Sequence, residues 1–127
     1  MISADVDIKP AGNKGRGMFA KKDIAANTVL EISPIIELNI KDRKIIEETI
    51  LGHYIFEWGN SHRKGAMALG YVAMYNHSYD ANCVYEMEFE EQRMTVKTCK
   101  PVKKGEQLFI NYNAVPDDKK PVWFDAE

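Results

Sequence analysis

Tyr75-Asn76-His77-Ser78-Tyr79-Asp80-Ala81-Asn82-Cys83 follows directly on the apolar stretch from Met67 to Met74. Asn and His side chains carry donors and acceptors in fixed planes, which suits a ligand with amino-acid-like or adenine-like polar groups. The same residues also suit a turn that satisfies its own loop backbone, so this segment alone leaves both readings open. It is a poor metal site. His53, His62, His77, Cys83 and Cys99 show no zinc-ligand spacing, and no metal is expected.

Outward from that segment, two further clusters flank it. Upstream, Lys14-Gly15-Arg16-Gly17-Met18-Phe19 places two glycines around one residue. Such a backbone can approach a small polar ligand closely, although a plain glycine turn between strands reads the same way. It lacks the Gly-Lys-Ser/Thr of a phosphate loop. Downstream, Gly105-Glu106-Gln107-Leu108-Phe109-Ile110-Asn111-Tyr112 reads as a strand closing on a tyrosine. That phenol either positions a reacting group or is a half-buried core residue.

Between these clusters, closely spaced turn signals separate short β-like segments, so the fold class is mostly β with short helices. Strands are expected over Val6 to Lys9, Met18 to Ala20, Val29 to Ser33, Ile35 to Asn39, Val84 to Phe89, Met94 to Cys99 and Gln107 to Asn111. Asp42 is expected to cap a helix over Arg43 to Leu51, with Ile46 and Ile50 on one face and Gly52 as its stop. Gly70 to Tyr75 reads as a second, short helical turn. Tyr85, Met87 and Phe89 alternate with Glu86, Glu88 and Glu90, which in period two puts apolar residues on one face and carboxylates on the other. One pattern occurs twice, as Lys22 to Leu30 and as Lys100 to Leu108, with Asn27 and Gly105 where a left-handed residue is wanted before a strand. Two copies make a reused turn-to-strand device and not a repeat fold.

The global numbers admit one domain over residues 1–127. Seventeen basic and nineteen acidic residues give a net charge of −2, which argues against direct nucleic-acid binding as the main role. The apolar stretch from Ile50 to Phe56 is broken by Gly52 and His53, far short of the roughly 20 residues that cross a bilayer, so no membrane role is expected. No signal-peptide pattern is visible. Cys83 and Cys99 could pair, but without a secretory signal they read as reduced thiols and the expected compartment is cytoplasmic.

Taken together, in this order and spacing, the three clusters resemble the SET domain family of protein-lysine methyltransferases, over about Lys14 to Phe124 and closest to the minimal bacterial and viral type without zinc-binding flanking modules. Departures are mild: Ala81 stands where the family usually has proline, Gln107 replaces an acidic residue, and Asn113 replaces the glycine after the tyrosine. The resemblance implies a fold of several small sheets with a C-terminal pseudoknot, the last strand threading beside the Asn-His segment. True threading is rare, so this expectation is specific.

The same resemblance implies that S-adenosylmethionine is the cofactor, held through the backbone of Gly15, Arg16 and Gly17 and by Asn76, His77 and Trp123. Tyr112 matches the catalytic tyrosine. Tyr54, Tyr85 and Phe124 match positions that wall the substrate lysine channel, and Tyr85 matches one that influences how many methyl groups are added. Tyr54 reads equally well as core. The implied partner is a protein with a target lysine, such as a basic protein or tail; the oligomeric state is left open. Glu86, Glu88 and Glu90 either face basic residues around that lysine or form a solvated face paired with residues such as Lys97. A SET-fold module that binds cofactor or peptide without turnover is the alternative, because fold alone does not settle activity.

Overall fold

The computed structural model describes residues 1–112. The chain runs β1 (Val6–Pro10), β2 (Arg16–Ala20), β3 (Val29–Leu38), α1 (Ile40–Glu47), β4 (Phe56–Trp58), β5 (Lys64–Ala68), β6 (Asn76–His77), β7 (Cys83–Glu88), β8 (Arg93–Thr98) and β9 (Gln107–Ile110). Short 3-10 turns lie at Gly12–Lys14, Ile50–His53 and Val72–Met74. Two sheets result, one in the order β1-β2-β9-β6 and one in the order β4-β5-β3-β8-β7. Every pairing is antiparallel except β6 with β9, which is parallel.

Pro34 marks where the sequence expected two strands and the structure has one. It stands inside β3 at the handover between partners, since Val29 to Pro34 pair with β8 and Ile35 to Leu38 with β5. A proline lacks an N–H, and the end of one ladder is a place where none is needed. The helix also differs from expectation. Asn39 caps it, its Oδ1 accepting from Asp42 N at 2.7 Å, so α1 starts three residues before Arg43 and ends at Glu47. Ile50 lies beyond it in a separate 3-10 turn capped by Thr49 and is exposed, while Ile46 is half-buried. Arg43 ties α1 to its neighbours by donating to the carbonyls of His62 (2.8 Å) and Lys64 (3.1 Å).

On β7 the alternation holds: Cys83 and Tyr85 are buried and Glu86 is exposed. Glu86 pairs with Lys97 at 2.8 Å and Glu88 with Arg93 at 2.9 Å, the solvated, cross-paired reading of that face. Phe89 falls just past the strand and is exposed. Asn27 (φ 62°) and Gly105 (φ 89°) both take the left-handed conformation expected of them.

Met18, Leu30, Val72, Met94, Val96, Leu108 and Ile110 are fully buried and join both sheets in one core cluster with Trp58 and Tyr75. Each such side chain stabilises the fold by about 1.5–3 kcal/mol. The last strand is laced to the segment after β6. Asn82 Nδ2 donates to Gln107 O (2.9 Å) while its Oδ1 accepts from Phe109 N (2.8 Å), and Ser78 N donates to Ile110 O (3.0 Å). That is the crossing of the final strand and the Asn-His segment that the resemblance implied, and it brings residues 76–82 and 107–112 together.

Candidate active site

β6 is only two residues long, and its position is set before it begins. Gly70 turns with φ +69°, and a Cβ there would overlap the Glu31 carboxylate and the Ser33 hydroxyl. Glu31 is fully buried on β3, and its Oε2 accepts from Ser33 Oγ (2.5 Å) and from Tyr71 N (2.8 Å). The two donors on Oε2 offset part of the cost of burying the carboxylate. Here it pins the start of the 3-10 turn Val72–Met74, which hands the chain to Tyr75 and β6. Burial is the largest influence on the Glu31 carboxyl and holds it above its ordinary value, opposed by the bonds from Ser33 and Tyr71.

Tyr112 is held at three points by the segments it meets. Its backbone N donates to His77 Nδ1 at 3.0 Å, its hydroxyl donates to Tyr75 O at 2.7 Å, and its carbonyl accepts from the Tyr85 hydroxyl at 2.9 Å. A ring nitrogen that accepts carries no proton, so the neutral His77 imidazole is protonated on Nε2. The His77 ring packs between Tyr79 (centroids 4.4 Å apart) and Tyr112 (5.2 Å). Phe56 lies 5.3 Å from the Tyr85 ring and 5.9 Å, edge-on, from Tyr112. Desolvation raises the pKa of both phenols well above the ordinary tyrosine value, reinforced by Tyr112 acting on Tyr85 and Tyr54 acting on Tyr112. Both stay protonated. Because the Tyr112 proton is committed to Tyr75, its hydroxyl oxygen offers only acceptor lone pairs to anything else.

Asn76 faces the glycine segment. Its Nδ2 donates to Arg16 O (3.1 Å) and to Gln107 Oε1 (2.9 Å). Gly17, buried on β2, leaves room for that pair: a Cβ there would lie 2.5 Å from Gln107 Oε1 and 2.7 Å from Asn76 Nδ2. Gly15 (φ +74°) and Arg16 are exposed, and Gly15 O accepts from Ala11 N at 2.7 Å to close the loop.

Gly15, Arg16, Gly17, Asn76, His77, Tyr85 and Tyr112 therefore fall around the junction of β2, β6 and β9. Tyr54 stands just after the turn Ile50–His53, partly exposed, close enough to act on Tyr112. Trp123 and Phe124 lie outside the described residues. Glu31, Phe56 and Gln107 were missed. Phe56 had a signal in the aromatic run His53-Tyr54-Ile55-Phe56, and Gln107 in standing where the family has an acidic residue; Glu31 acts through contacts no spacing encodes. Among the described residues no cluster of metal-ligating side chains occurs, and no helix is long and apolar enough to cross a membrane.

The donor set fits S-adenosylmethionine, a nucleoside that carries an amino-acid end. Asn76 has spent both amide hydrogens on the protein and keeps Oδ1 as an acceptor, and the side-chain-free wall at Gly17 admits close approach.

Residues 15–113 match the SET domain family. A Schizosaccharomyces pombe protein named histone-lysine N-methyltransferase, H3 lysine-37 specific, is 29% identical over 128 residues, which is 100% of this chain and 82% of that protein. A Plasmodium falciparum structure, titled for a histone methyltransferase, superposes with a TM-score of 0.66 at 24% identity, covering 87% of this chain and 95% of that one. The Chaetomium thermophilum Polycomb Repressive Complex 2 bound to S-adenosylmethionine superposes with a TM-score of 0.72 at 20% identity, over 87% of this chain and 15% of that one. At such identities the two structures speak for the fold. With most of its length matched and its crossed last strand in place, this chain belongs to the SET domain family of S-adenosylmethionine-dependent protein-lysine methyltransferases.

Proposed function

We propose that this chain methylates a lysine in a basic protein tail, with Tyr112 at the transfer centre and Tyr54, Tyr85 and Phe56 lining the approach. The observation that carries the reading is the triple fixation of Tyr112 by Tyr75, His77 and Tyr85, directly after the strand that touches Asn76. The relative named for an H3 lysine supports a histone-like tail as substrate.

A lysine attacks as the neutral amine, whose formation at pH 7 costs about 4.6 kcal/mol from an unperturbed pKa near 10.4. When bound, S-adenosylmethionine supplies an electrophilic methyl group and a fixed positive charge that disfavours the ammonium. The chain's own part is an apolar, aromatic surround that desolvates the amine and lowers its pKa further. Glu57, the carboxylate that acts on Tyr85, is paired with Arg43 at 3.5 Å, which limits its pull towards the ammonium form. Neither Tyr85 nor Tyr112 can serve as a phenolate base, since burial keeps both protonated. Tyr112 instead presents a fixed acceptor oxygen, so its contribution is alignment for in-line transfer. We place the protein in a reducing compartment such as the cytoplasm, in keeping with Cys83 and Cys99 being reduced thiols.

Incubation with labelled S-adenosylmethionine and a panel of histone tails and other basic proteins tests this. Label on lysine, with S-adenosylhomocysteine formed in step, is the expected result. Cofactor binding without S-adenosylhomocysteine across the panel would mean a binding module.

A further inference from the structure

Gln107 stands at the first position of β9, far in sequence from Asn76, yet the two side-chain amides meet at 2.9 Å. We infer that Gln107 is a positioning residue for the cofactor: its side-chain carbonyl fixes the Asn76 amide so that Asn76 turns an acceptor oxygen to the ligand. The inference rests on the cofactor-site reading above and deepens it. Asn76 has two N–H hydrogens, and the structure gives each a partner, one the backbone carbonyl of Arg16 and one Gln107 Oε1. A planar amide with both hydrogens held cannot flip without breaking both bonds. Oδ1 is then the group left for a ligand, and it selects one that brings an N–H or an ammonium.

Gln107 is held at its backbone, and its side-chain amide packs against β2. A Cβ on Gly17 would press on Gln107 Oε1 at 2.5 Å, so the amide pair lies flat against the glycine backbone. The Gln107 carbonyl accepts from Asn82 Nδ2 at 2.9 Å, and Gln107 is paired with Phe19 across β2 and β9. The backbone is thereby fixed from both sides. A carboxylate at this position would accept from Asn76 in the same way.

The measurement is the Kd of S-adenosylmethionine by calorimetry for the full chain and four variants, each checked for a wild-type circular dichroism spectrum. Gln107→Leu removes the acceptor at similar size and should weaken binding about tenfold, the scale of one hydrogen bond to a held amide. Gln107→Glu keeps the acceptor and should stay within about threefold of wild type. Asn76→Ala alone should weaken binding, and adding Gln107→Leu to it should weaken it no further, because Gln107 acts through Asn76. The KM for a substrate peptide should not move with Gln107→Leu. Gln107→Met takes its place should the leucine variant not fold. Wild-type affinity in Gln107→Leu alongside a loss in Asn76→Ala would overturn the inference, as would losses that multiply in the double variant. Unchanged affinity in Asn76→Ala would overturn the cofactor-site reading itself, and this inference with it.

Discussion

The turn-to-strand device that occurs twice in the sequence meets itself in the structure, and the two copies are put to different use. Ile24 and Val102 exchange both backbone hydrogen bonds at 2.8 Å. Asn27 N donates to Thr98 O (2.9 Å) as Gly105 N donates to Ala20 O (2.9 Å), and Thr98 N donates to Thr28 O (2.9 Å) as Ala20 N donates to Glu106 O (2.9 Å). Each copy then feeds a strand, β3 after the first and β9 after the second. In the first half Val29 pairs with Lys97, as Gln107 pairs with Phe19 in the second. There the likeness stops. β3 carries a bulge between Val29 and Glu31, so Leu30 and Glu31 are both buried, whereas β9 continues its ladder with Leu108 opposite Met18. One shifted residue turns a carboxylate inward to hold the Gly70–Tyr71 turn. The other half stays regular and brings Gln107 and Tyr112 to the reacting end. Support for β6 thus comes from one copy and chemistry from the other.

Breaking the support should cost most. Glu31→Ala leaves Ser33 Oγ without its acceptor in a buried site and Tyr71 N without its acceptor in a part-buried one, and stability in urea should fall by about 3 kcal/mol. Glu31→Gln keeps an acceptor and should fold. It also separates charge from bonding. The folded Glu31 carboxyl titrates above the ordinary 4.5, so as pH falls the native state takes up a proton before the unfolded chain does. Wild type should therefore gain stability relative to Glu31→Gln on acidification towards 4.5 and lose that gain as pH rises through the raised value.

On the chemical side, Gly17→Ala pushes a methyl group into the Asn76–Gln107 pair and should weaken S-adenosylmethionine binding by about 2 kcal/mol, read by calorimetry. Tyr85→Phe releases the Tyr112 carbonyl. The loss of about 1 kcal/mol of restraint should shift product towards higher methylation states, read by mass spectrometry of one peptide at equal turnover. An unchanged distribution would confine the Tyr85 hydroxyl to a structural bond. The smallest effect compares the two turns: Gly105→Ala, at φ 89°, should cost about 1 kcal/mol, while Asn27→Gly, at φ 62°, should change stability by a few tenths.

What the sequence made legible follows the same division. The strands with alternating faces and the left-handed Asn27 and Gly105 could be read because each obeys a local rule, whereas the three clusters gained meaning only together, through their resemblance to a family. β4 and β5 could not: Phe56–Trp58 is too short to show alternation, and Lys64-Gly65-Ala66-Met67-Ala68 lacks the branched residues that mark a strand. The helix start was misplaced because Asn39 and Asp42 both look like caps, and the choice fell to how α1 meets β5. The contacts of Glu31 and Gln107 were hidden for a different reason. A bulge and a parallel pairing between distant segments decide what those side chains touch, and neither leaves a trace in spacing.

The central claim is that Tyr112 aligns the reacting groups without acting as a base. Single-turnover transfer to a peptide lysine, measured for wild type and Tyr112→Phe with cofactor affinity measured alongside, tests it most directly. The variant should bind S-adenosylmethionine with nearly unchanged affinity, because the tyrosine's backbone N–H keeps its bond to His77, yet its transfer rate should fall by about a hundredfold, roughly 2.7 kcal/mol felt only in the transition state. Across pH 6 to 9 wild type and variant should show parallel rate profiles. A wild-type rate in the folded Tyr112→Phe protein, or a profile whose rising limb vanishes with the hydroxyl, would contradict the account.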